Sequence, residues 1–115
     1  MLENSKLHTN LTVGTALTAF YTNLSPQRTF IRGFIAFNNS TTEAASLYIH
    51  VVFNSGGNLG EPDISNKMFH LDFEPKETVT FTAPYPILLN ANNDSIFTRA
   101  DNNTVNLLLL GDKLV

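Results

Sequence analysis

The chain has 115 residues, enough for one domain that buries about two-thirds of its unfolded surface without covalent staples. It contains no cysteine, which excludes disulfide frameworks and thiolate metal sites. Its net charge is −3 and its 7 Lys and Arg residues are scattered, so it lacks the clustered cations with which a non-specific nucleic-acid binder displaces phosphate counterions.

Residues 1–10 are polar and show no apolar periodicity. They read as an N-terminal arm, disordered or ordered only on a partner, ahead of a single β-sandwich domain over 11–115. The opening Met1-Leu2-Glu3-Asn4-Ser5-Lys6 has neither the basic nor the apolar run of a signal peptide. The longest apolar run of the final strand, Leu107 to Leu110, is too short to span a bilayer, so no membrane partner is expected.

From Leu11 the pattern is that of strands. Leu11, Val13 and residues 15–22 read as one or two, with Gly14 at a bulge or bend. Residues 23–27, around Pro26, read as a turn. Residues 28–53 hold two runs rich in β-branched and aromatic side chains around the polar stretch 38–43, the signature of a central β-hairpin. Its first run places Phe30, Phe34 and Ala36 on one face, and Thr29, Ile31, Gly33, Ile35 and Phe37 on the other. Both faces are apolar, as in a sheet covered on both sides.

The Gly-rich stretch 54–63 is the longest loop and the best candidate for an exposed functional tip. Residues 68–73 and 78–82, joined through Pro75, read as a second hairpin. Residues 83–86 (Ala-Pro-Tyr-Pro) are too proline-rich for a central strand. A short strand over 87–89 follows, and then a final hairpin of 95–99 with 105–110. About eight short strands at this spacing imply an all-β fold, an antiparallel β-sandwich that is jelly-roll-like. Alternation predicts a core of Phe30, Phe34, Leu47, Ile49, Val51, Phe69, Leu71, Phe81, Ile96, Leu107 and Leu109.

No catalytic motif is visible. His8, His50 and His70, with Asp72, invite a metal reading, but their spacing shows no convergent set, and histidines on an outward strand face account for them. Asn92-Asn93-Asp94 and Asp101-Asn102-Asn103 lack the spaced acidic pattern of a calcium loop. The carboxylates fall mostly in turns, where local backbone bonding explains them. We therefore expect no enzyme, no catalytic, metal or cofactor-binding residues and no cofactor. Tyr48 and Tyr85 are the aromatics on which a carbohydrate-binding alternative would rest.

The order of features resembles a known pattern. Phe20-Tyr21-Thr22 leads to Leu24-Ser25-Pro26, a long strand ends in Phe37-Asn38-Asn39-Ser40, and Ser46-Leu47-Tyr48-Ile49-His50-Val51 follows. Later come Phe73-Glu74-Pro75-Lys76-Glu77, Pro86-Ile87-Leu88-Leu89, Asn93-Asp94-Ser95-Ile96 and Asn106-Leu107-Leu108-Leu109-Leu110-Gly111. Over residues 15–111 this resembles the small β-sandwich accessory proteins of tailed bacteriophage virions, which include capsid decoration (cement) proteins and tail components. Gln27 stands where that pattern has a glycine after the proline. The resemblance implies a structural protein of the capsid surface, made in the host cytoplasm. Its implied partners are the major capsid protein or other virion proteins and its own copies, as a homotrimer. A tail, baseplate or host-binding role is the alternative it also implies.

Overall fold

The computed structural model describes residues 2–6, 11–55, 58–59 and 62–114. Among these there is no helix, and there are eleven strands. They are β1 (Leu2–Lys6), β2 (Leu11–Thr12), β3 (Thr18–Thr22), β4 (Arg28–Asn38), β5 (Ala45–Val52), β6 (Asn54–Ser55), β7 (Asn58–Leu59), β8 (Lys67–Phe73), β9 (Thr78–Leu89), β10 (Ser95–Ala100) and β11 (Val105–Leu114). Eight of the described strands are five residues or longer and carry the architecture.

These eight pair from the outside inwards. β1 pairs with β11, β3 with β10, β4 with β9 and β5 with β8, all antiparallel. The chain is thus one long antiparallel ribbon. It rolls into two sheets through the further pairings β11–β4 and β10–β5. The orders β1-β11-β4-β9 and β3-β10-β5-β8 are those of a jelly roll, the two-sheet architecture built from two Greek keys. The expected antiparallel sandwich is therefore the fold, and β6 and β7 form a small ribbon beside it.

The three expected hairpins are not hairpins. β4 lies in one sheet and β5 in the other, and the same holds for β8 with β9 and for β10 with β11. A turn signal reports a chain reversal. It does not report whether the next strand joins the same sheet or arches across to the facing one. The long pairing closest in sequence is β5 with β8, across the 53–66 connection.

Part of the expected arm is also built into a sheet. Leu2–Lys6 pairs residue by residue with Leu114 back to Leu110, making β1 an edge strand. His8, Gly56, Gly57 and Gly60 lie outside the described residues.

The face assignment of β4 changes midway. Arg32 has no partner on β11, because Leu110 pairs with Gly33 and Gly111 with Ile31. This extra residue is a β-bulge, and it inverts the alternation. Thr29 and Ile31 point inward before it, and Phe34, Ala36 and Asn38 after it. Phe30, expected in the core, consequently faces outward opposite Asp112 and Leu88. Phe34, Leu47, Ile49, Val51, Ile96, Leu107 and Leu109 are buried as expected, and Phe69, Leu71 and Phe81 are half-buried against them. Val13, Tyr21, Ile31, Phe73, Leu89 and Val105 complete the core.

Each end of the sandwich is tied by buried polar side chains. At one end Asn38 donates to the carbonyls of Glu43 (2.8 Å) and Glu74 (3.2 Å) and accepts from the Thr104 hydroxyl (2.7 Å), joining three connections. At the other end the Asp94 carboxylate accepts from the amides of Asn54 (2.7 Å), Asn90 (3.1 Å) and Ala91 (3.0 Å). Asn23 bonds there to the Gln27 and Ala91 carbonyls and accepts from Thr29, whose hydroxyl also meets the Tyr21 hydroxyl.

Candidate functional site

The two sheets leave one side of the sandwich open, between β8 and β9, which are the edge strands of their respective sheets. An apolar groove of about 410 Å³ lies there. Phe69 and Phe81 line it, and the buried Phe34 packs against both. Phe34 stacks on Phe81 at 5.3 Å, and Phe69 meets Phe81 edge-on at 4.9 Å and Phe34 at 5.3 Å. Such offset and edge contacts hold aromatic rings in defined places.

The groove is open because β9 leaves its partner. Thr82 pairs with Gly33 and Ile87 with Ile31, so residues 83–86 lie opposite Arg32 alone. Pro84 and Pro86 carry no N–H for a ladder, which suits them to an edge excursion. They flank Tyr85, which is 87% exposed, and fix the backbone on either side of it. Phe53 and Met68, at 53% and 54% exposure, form the opposite rim. No lining side chain is charged. Three large, mostly apolar side chains are thus left in water around one uncharged groove, which makes it the candidate interaction surface among the described residues. Two prolines reduce the ordering cost of Tyr85 on binding, and a rigid aromatic anchor is the residue type that dominates interface energetics.

The groove was not expected from the sequence, because it joins β5, β8 and β9. The proline-flanked tyrosine was its available signal. The stretch 54–63, expected to be an exposed tip, lies partly outside the described residues, and its described part does not line the groove; Phe53, which the sequence places at the end of the strand run before it, stands on the rim.

The residues considered for chemistry sit elsewhere, on the outer face of the β3-β10-β5-β8 sheet. The Tyr48 ring is flanked by the Arg99 guanidinium at 4.5 Å, the His70 ring at 4.5 Å and the Lys67 ammonium at 5.3 Å. The ring is half-buried by these groups and also borders a concavity of about 260 Å³ with Leu17, His50 and Ile64. His50, on the same face but buried, shares a hydrogen bond of 3.0 Å with Asn66 Oδ1 through Nδ1. His70 Nε2 lies 3.2 Å from Asp72 Oδ1. The Ser46 hydroxyl donates to the same carboxylate at 2.6 Å and, with a smaller contribution from His70, holds Asp72 below the ordinary carboxylate value. Among the described residues no group of three or more His, Asp or Glu side chains is arranged to hold a metal ion. Asp94 and Asp101 spend their oxygens on backbone amides, as turn residues do.

No protein-family model matches the chain, and no curated protein matches it.

Proposed function

We propose that this chain is a non-enzymatic structural protein of a virion, a capsid decoration protein that docks on a repeating protein lattice and reinforces it. Three things support the reading. The strand-and-turn pattern over residues 15–111 resembles that of phage accessory proteins. The eight-strand jelly roll is an architecture that viral capsid domains use, as do lectins and cupins. The third, which carries the proposal, is the uncharged groove with the rigid Tyr85 on its rim. It suits an apolar anchor side chain of the lattice protein, with Tyr85 packing on the lattice in return. One such contact is modest. Repetition at every lattice site, together with self-association of the decorating copies, converts it into avidity.

The test is to add the purified chain to particles lacking it and count bound copies. Wild type should saturate at hundreds of copies. Tyr85→Ala with Met68→Glu should weaken occupancy by about 100-fold or more, as expected of an interface anchor worth several kcal/mol. Full occupancy by this variant at wild-type concentration would sink the groove as the contact. A handful of copies per particle would move the protein to the tail or baseplate. The exposure of Tyr85 also favours one other reading, a carbohydrate-binding module. Glycan binding by the isolated chain, lost in Tyr85→Ala, would replace the lattice reading with that one.

A further inference from the structure

The two outer faces of the sandwich differ in chemistry. An antiparallel sheet with one face in water alternates apolar-in and polar-out. The β3-β10-β5-β8 sheet follows this rule, with Ser46, Asp72, Tyr48, His70, Arg99 and Lys67 on its outer side. The β1-β11-β4-β9 sheet does not. Pairing places Phe37 beside Asn106 and Thr78, Ile35 beside Leu108 and Thr80, and Leu110 beside Gly33 and Thr82. Beyond the bulge, Phe30 stands between Asp112 and Leu88. These outward positions give an apolar band on β4 and β11, with Ile35 at 39% exposure, bordered on β9 by the exposed row Thr78, Thr80 and Thr82 and, beyond the bulge, by Leu88 at 40%. In its middle, among the described side chains, the ionic groups are Arg32 and Asp112, and they are bonded to each other.

We infer that this face packs against the same face of a second copy, as a two-fold pair of sheets. Charge decides the occupant. The Arg32–Asp112 pair neutralises the centre from within, so two identical faces meet without repulsion and without needing a partner of opposite sign. Arg28 and Lys76 lie at its two ends, where water still screens them. Area is sufficient once the uncharged threonine row is counted with the apolar band. Three strands about 4.8 Å apart and about ten residues long give roughly 500 Å² per copy, and a specific interface, whose area is in part polar, needs about 1,000 Å² in total. A face that packs on its own copy about a two-fold axis closes as an isologous dimer, with the sheets about 10 Å apart. This differs from the trimer that the sequence resemblance implies. It rests on the self-association in the proposed function and does not depend on the groove or the lattice.

The experiment is sedimentation equilibrium of the full chain at micromolar concentration, without particles. Wild type should be a dimer. Ile35→Lys with Leu108→Lys places two like charges against their symmetry mates and should weaken association by about 100-fold or more. Circular dichroism and melting should be unchanged, since both side chains point away from the core. Should that variant fail to fold, Thr80→Arg, in the same row on β9, poses the same question at an exposed position. Met68→Glu, in the groove, should leave the dimer intact, which separates this inference from the lattice reading. A monomeric wild type, or a dimer unmoved by Ile35→Lys with Leu108→Lys and by Thr80→Arg, would overturn the proposal. A trimer dispersed by these substitutions would overturn the two-fold geometry.

Discussion

Gly33 and Phe81 approach so closely across β4 and β9 that a methyl group on the Gly33 α-carbon would sit 2.1 Å from the Phe81 carbonyl oxygen. The obstacle is backbone, so it cannot rotate away. This contact lies where β4 bulges and just before β9 begins its excursion. It links the twist of the central strand to the opening of the groove.

Gly33→Ala should therefore destabilise by about 3 kcal/mol, at the upper end of overpacking costs, or prevent folding. Gly14→Ala is the matched control. Nothing lies within 4 Å of a Cβ there, and the cost should stay within about 0.5 kcal/mol. Urea unfolding of the two variants checks the pair. Equal losses would show that Gly33 is not confined by β9.

Asn38 is the corresponding test of the buried polar ties. Asn38→Ala removes four hydrogen bonds, to the Glu43 and Glu74 carbonyls and from the Thr104 hydroxyl and the Ser40 amide, while Glu74 and Thr104 keep their bonds to the Glu77 amide and to Asn102. Each lost bond costs about 0.5–1.5 kcal/mol, so the sum should be about 3 kcal/mol. A loss below about 1 kcal/mol by denaturant unfolding would mean that water replaces the side chain.

The sequence made the strands legible and their partners illegible. Leu47, Ile49 and Val51 alternate on β5 as Leu107 and Leu109 do on β11, and all five are buried. The connections after β4, β8 and β10 carry turn chemistry whether they close a hairpin or cross to the other sheet, so the positions of β4, β5, β8, β10 and β11 are legible while their topology is not; β1 hides in a polar stretch, and β9 runs on through the prolines of 83–86 as an edge strand. The face of Phe30 was misread because the single unpaired Arg32 inverts the period, and no residue type announces a bulge. Asn38 and Asp94 read as surface turn residues, for their burial depends on connections distant in sequence meeting at one end. The groove was illegible for the same reason, although Pro84-Tyr85-Pro86 marked the place where a strand could not stay paired.

Acid should reveal the Ser46–Asp72 bond. The Ser46 hydroxyl lowers the Asp72 pKa from its ordinary value of 3.8, with His70 adding to the effect. A carboxylate whose pKa is lower folded than unfolded contributes stability above its unfolded pKa, and this is lost as pH falls through the folded value. Ser46→Ala should raise the Asp72 pKa back toward 3.8 and weaken the acid dependence of stability below pH about 4. The carboxylate is exposed, so the effect is clearest in an NMR titration of Asp72. An unmoved titration in Ser46→Ala would show that the hydroxyl does not bind the carboxylate in solution.

Removal of residues 1–8 separates pairing from stability. β1 aligns five residues against β11. Its hydrogen bonds contribute about 1 kcal/mol each, whereas ordering each residue's backbone costs about 1–2 kcal/mol. The two nearly cancel, so the melting temperature of the truncated chain should change little. The consequence lies at the edge. Without β1 the 110–114 segment of β11 presents unpaired amides and carbonyls to solvent, a template for pairing with another chain. Amide exchange at 110–114 should accelerate by at least about tenfold while the amides of β4 stay protected, because local opening reports the loss of a neighbouring strand. The truncated protein should also become prone to concentration-dependent aggregation. Unchanged exchange at 110–114 would show that β1 does not hold that edge, and the first residues would then be the free arm that their polar composition suggests.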